Sequence, residues 1–130
     1  MNNITEQQIK FLGQIYVGLK RTEIAYNNYL QIGQTFIHAK ILKACNEQIR
    51  NLLFENSFLL SDNLQNDALK LISHYDIWLE KWINLEKKSK PELEDKFLFQ
   101  NTFTFPKESA INLENEFLRL KKTYLNFKED

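Results

Sequence analysis

Between Ile4 and Phe54 the chain contains no proline, and across all 130 residues only Gly13, Gly18, Gly33, Pro91 and Pro106 break regular structure strongly. Few breakers mean long helices. A single helix over that first stretch would run about 75 Å, well beyond the diameter of a domain of this size. A bend or break is therefore expected. Asn27 to Gln34 is the place for it, because Asn27, Asn28 and Gly33 each lower helix propensity by several tenths to about 1 kcal/mol. The alternative is one continuous helix that protrudes from the body or pairs with a second copy.

Thr5 with Gln8 fits a capping box that opens the first helix. Its apolar positions Ile9, Leu12, Tyr16, Leu19, Tyr26 and Leu30 recur at helical spacing and define one buried stripe. The next segment carries Phe36, Ile37, Ile41, Ala44, Cys45, Ile49, Leu52 and Leu53 on one side and Lys40, Lys43, Glu47 and Arg50 on the other, an amphipathic pattern. Ser57 to Asp62 loses this period and reads as a buried turn, after which Asp62 and Gln65 restart a helix.

The third helix has the strongest period, with Leu64, Ala68, Leu71, Ile72, Tyr75, Trp78, Leu79, Trp82 and Leu85 on one face. It should stop before Pro91, since the residue preceding a proline is pushed out of the helical region. Lys87, Lys88 and Lys90 then sit where positive charge favours a helix C-terminus. From Pro91 to Phe105 the period changes to two, with phenylalanine at 97, 99, 103 and 105. This predicts an extended flap or short hairpin laid across the helices; a short helix over residues 91–99 followed by a loop is the other reading. Pro106 suits the first turn of a last helix. There Ala110, Leu113, Phe117, Leu120, Tyr124 and Phe127 form a stripe that Ile111, Leu118 and Leu125 widen, which predicts burial against two other elements.

The fold expectation is thus an all-α antiparallel bundle of about four helices in a single domain over residues 1–130, with an extended aromatic segment before the last helix. At 43% apolar and 26% charged residues the composition excludes disorder. A chain of this length buries roughly two-thirds of its unfolded surface without disulfides or metal. Seventeen basic residues balance 17 acidic ones, so no global field draws in nucleic acid or an anionic membrane. One unpaired cysteine, a polar Met1 to Gln8 and no apolar run near the ~20 residues of a membrane span predict a cytoplasmic protein outside the membrane. Abundant Asn, Lys, Ile and Phe hint at an AT-rich bacterial genome.

No motif fixes a reaction. His74 precedes Asp76 by two positions, and residues so spaced do not face each other on a helix, so the acid cannot orient the imidazole as a base. The Glu and His three apart that di-iron bundles use are absent, since Thr35 and Leu71 precede His38 and His74 at that spacing. Cys45 lies among apolar neighbours, as a packing thiol does. The arginine a turn or so before a histidine that marks RNA-cleaving helical bundles is missing; only Lys70 precedes His74 there. No cofactor or metal is called for.

The favoured function is a non-enzymatic protein-interaction module, a self-associating or adaptor subunit of a bacterial multi-protein system. Its expected surface is Trp82, Ile83, Phe97, Phe99, Phe103 and Phe105, which supply more apolar area than one small domain covers. The alternative is a nucleic-acid- or nucleotide-binding accessory protein, or an unrecognised toxin or nuclease of a defence-type system. That reading requires Lys40, Lys43 and Arg50 to cluster in space with Lys20 or Arg21.

Overall fold

In the computed structural model, which describes residues 3–100 and 104–129, the first helix, α1 (Asn3–Gln31), ends just before the glycine that the sequence offers. Gly33 and Gln34 both take positive φ, +80° and +51°, and the Gln34 amide donates back to the Tyr29 carbonyl at 3.0 Å. Such a left-handed closure satisfies the last carbonyls of a helix, and glycine adopts it at no steric cost. The chain then reverses into α2 (Phe36–Asn56), so the first half is two helices.

A single 3-10 turn at Ser57–Leu59 leads to α3 (Asp62–Ser89). Ser61, one residue earlier than Asp62, holds the N-cap position, and Gln65 ties the start by donating its amide to Ser61 O and its side chain to Leu60 O. Gln8 likewise serves a tertiary contact, donating to Leu59 O at 2.6 Å. The third helix stops at Ser89, with Lys90 left-handed ahead of Pro91. The last helix, α4, spans Lys107–Glu129 directly after Pro106.

The helices neighbour one another in the order α1, α2, α3, α4 and back to α1. Cross-links fix the antiparallel sense. Gln8 reaches Leu59 while Arg21 reaches Gln48, and Arg50 meets Asp76 while Lys43 lies over Trp82. Two glycines inside α1 mark where neighbours come close: a Cβ at Gly13 would stand 3.1 Å from the Phe117 ring of α4, and one at Gly18 would stand 3.1 Å from Ile49 of α2.

The fourth helix does not run the length of the bundle. Ser109 and Asn112, near its start, donate to Asp67, early in α3. It therefore covers only the end that holds the α2–α3 turn, called the lower end here. Residues 91–100 form a strap that takes its place at the upper end, and Phe105 packs just before α4. Two core clusters correspond. The lower one is mainly aliphatic, with Leu12, Ile15, Ile49, Leu53, Leu71 and Leu113; the upper one is ring-rich, with Tyr29, Phe36, Trp78, Trp82 and Phe97.

This geometry corrects several expected faces. Tyr26 and Leu30 continue the lower stripe of α1 but are exposed, because α4 starts below them and runs away toward the lower end; Ala25 and Tyr29, turned toward α2 and the strap, are buried instead. On α2, Ile37 and Ile41 are exposed and Ala39 and Leu42 are buried. On α4 the main stripe packs on both α1 and α3, but Ile111, Leu118 and Leu125 remain about half exposed. Phe103 and the side chain of Phe127 lie outside the described residues.

Candidate interaction surfaces

The strap opens with a turn in which Asp95 N donates to Glu92 O and is extended from Lys96, as the alternating phenylalanines imply, but it forms no hairpin among the described residues. Its one ladder contact is an isolated antiparallel bridge between Lys96 and Thr35. It works as a cap for α2. Thr35 makes no side-chain cap bond, and the orphan amides of Phe36 and Ile37 donate instead to the carbonyls of Asp95 (2.8 Å) and Leu93 (3.0 Å). Phe97 N donates to Gln34 O at 2.9 Å. The Tyr29 hydroxyl then pins the strap, donating to the Phe97 carbonyl and accepting from the Phe99 amide.

Two extended residues advance about 6.6 Å and one helical turn about 5.4 Å, so Phe97 and Phe99 fall on successive turns of α3, and Phe105 reaches the next turn. Phe97 meets Trp82 at 4.9 Å between centroids, Phe99 meets Trp78 at 5.1 Å, and Phe105 meets His74 at 5.3 Å and Tyr75 at 6.3 Å. The rings expected to face a partner therefore face their own core. Trp82 is 1% exposed and Phe97 2%, while Ile83, Phe99 and Phe105 are partly covered. Trp82 is sandwiched between Phe36, Phe97 and the Lys43 ammonium, which lies 5.4 Å from its ring.

His74 sits edge-on to Tyr75 and Phe105, and its burial lowers its pKa from the usual 6.5. Asp76 is turned away and pairs with Arg50 of α2 at 2.7 Å. The sequence spacing predicted that separation. Burial likewise raises the Cys45 thiol, which is enclosed in the upper core. No group of three or more metal-binding side chains is present among the described residues.

The five candidate cations are not brought to one patch. Arg50 and Lys43 point to the α2–α3 side, where Asp76 and Glu47 pair with them. Arg21 donates to Gln48 on the α1–α2 side. Lys20 lies over Tyr16, which packs on Phe117 of α4, and Lys40 lies over Phe36. Arg21 and Arg50 thus serve opposite sides of α2, which separates the residues that a phosphate-binding strip needs.

Two apolar faces appear where sequence reasoning placed none. Val17 and Ile24 of α1 are 65% and 62% exposed, and they flank Arg21 at the helical spacings of four and three. Ile37 and Ile41 of α2, eleven and seven residues before Gln48, the partner of Arg21, lie on the same side of their helix as Gln48. The Arg21 to Gln48 bond therefore lies within one outward α1–α2 face. The second face is the line of Ile111, Leu118 and Leu125 along α4. Val17 with Ile24, and Ile111 with Leu118 and Leu125, carried a sequence signal, apolar residues seven apart beside the core stripe; the first pair lay outside the stripe read for α1, and the α4 line and Ile37 with Ile41 were read into buried stripes. No helix among the described residues is long and apolar enough to cross a membrane. Compared with known proteins, the chain matches no family model, no curated protein and no solved structure. What the fold defines is its class, an all-α antiparallel four-helix bundle closed at one end by an extended strap.

Proposed function

We propose that this bundle is a non-enzymatic protein-interaction module that docks a protein through the outward face of α1 and α2. The observation that carries the reading is the exposure of Val17 and Ile24 on either side of the hydrogen-bonded Arg21, with Ile37 and Ile41 exposed farther along α2 on the side of Gln48. Interface centres are depleted in charge and rich in such apolar contact. From Val17 to the end of α1 at Gln31 the face runs about 21 Å along the helix, and two helices about 10 Å apart give it comparable width. That outline suits one side of a protein interface of ordinary size. Nucleic-acid binding has less support, because its candidate cations are separated and two of them are paired with acids.

Site-specific photo-crosslinking from positions 24, 37 and 41 in living cells tests this. One identified protein captured from all three positions, and lost in an Ile41→Glu variant that keeps its helicity, is the expected result. Absence of any cross-linked product from all three positions would end the proposal.

A further inference from the structure

We infer that α4 is a self-association surface, on which a second copy of this chain pairs its own α4 antiparallel about a two-fold axis at Leu118. This rests on the reading of the chain as an interaction module, but on a different face and a different observation. Ile111, Leu118 and Leu125 are seven residues apart, and each is about half exposed. Other sides of the helix are engaged: Phe117 packs on Tyr16 of α1, and Ser109 and Asn112 bond Asp67 of α3. A seven-residue apolar line is the repeat by which two helices align side by side.

Charge chooses both the occupant and the direction. With Leu118 opposite itself, antiparallel pairing sets Ile111 against Leu125 of the second copy. It also brings Glu114 level with Lys121 and Lys122 of that copy, and symmetry makes the contact twice. Parallel pairing would set Glu114 against Glu114 and lysines against lysines, which opposes association. The surface is thus self-complementary in one sense only. Lys121 already lies over the Phe117 ring at 5.8 Å, which holds its stem against α4 beside the seam. Ile111 to Leu125 spans about 21 Å of one helix, which places the contact at the small end of specific interfaces and makes the dimer weak and concentration-dependent.

Sedimentation velocity of the full chain over a wide concentration range is the test, with circular dichroism and thermal melting to establish that each variant is folded. The expected result is a monomer–dimer equilibrium that Leu118→Asp abolishes and Glu114→Lys weakens. Adding Lys121→Glu and Lys122→Glu to Glu114→Lys restores it. A chain that is monomeric throughout, or a dimer indifferent to Leu118→Asp, overturns the inference. A dimer lost in Ile41→Glu but not in Leu118→Asp overturns it while leaving the α1–α2 reading standing. Monomers together with no cross-links from positions 24, 37 and 41 remove both.

Discussion

The lower and upper halves of the bundle solve the same packing problem with different materials. Below, four helices surround Leu12, Ile15, Ile49, Leu53, Leu71 and Leu113, and aliphatic side chains suffice to fill the space between them. Above, only three helices remain, and an extended strap stands in the fourth position. A strap has less bulk than a helix, so large rings fill the difference: Tyr29, Phe36, Trp78, Trp82 and Phe97 make up most of that cluster. The lower half is closed by helix packing, with Gln8 bonded to Leu59 O and Ser109 and Asn112 to Asp67. The upper half also depends on a few directed bonds, from the Tyr29 hydroxyl and the capped amides of α2.

The sharpest way to break this comparison is to remove the ring that the strap covers. Trp82→Ala should cost about 3–5 kcal/mol in urea denaturation, and hydrogen exchange should quicken first in residues 91–99 and the start of α2. Leu53→Ala, in the lower half, should cost about 2–5 kcal/mol without that local signature. Equal protection loss at both ends in the two variants would mean that the halves are one cooperative unit.

Tyr29→Phe isolates the pin. It leaves the Phe97 carbonyl and the Phe99 amide without their partner, and an unpaired buried polar group costs about 1–3 kcal/mol. The loss should appear as faster exchange at Phe97 and Phe99, with α4 unchanged; unchanged exchange at both positions would show that the hydroxyl does not hold the strap.

His74, packed on Tyr75 and Phe105 at the edge of the lower cluster, gives the bundle a pH dependence. Burial lowers its pKa from 6.5, so the fold favours neutral imidazole. Its contribution is whole above that usual value and is lost as pH falls below it toward the lowered one. Acidification from about pH 7.5 to about pH 5.5 should therefore destabilise the chain more than it does a His74→Phe variant. Parallel stability profiles for the two would refute this role. The smallest effect is expected from Tyr75→Phe. Its buried hydroxyl has no hydrogen-bond partner among the described residues, so removing it should leave stability unchanged or raise it by up to about 1 kcal/mol. A measured loss above that figure would reveal a bond to the hydroxyl.

Helix boundaries were legible because local chemistry sets them. Gly33 supplies the left-handed turn, Ser61 and Asp62 restart the chain after Ser57–Leu59, and Pro91 and Pro106 bracket the strap. The face of α3 was legible too, from Ala68 through Trp82, since neighbours cover it along its whole length. The candidate site was read less well. Trp82 and Phe97 carry the aromatic signature of an interface and are core, the exposed Val17 and Ile24 lay outside the marked stripe of α1, and the exposed Ile37 and Ile41 were read into the buried side of α2.

By itself, then, the sequence marked the breakers at which helices end, favoured extended chain around Phe97 and Phe99 over a short helix without deciding between them, and showed that Asp76 does not serve His74. Only the tertiary structure decided which apolar residues are covered. Helical period specifies a direction around an axis but not how far along that axis a neighbour reaches. Because α4 begins beside Asp67 and runs toward the lower end, Tyr26 and Leu30 are left open while Phe97 closes over Trp82.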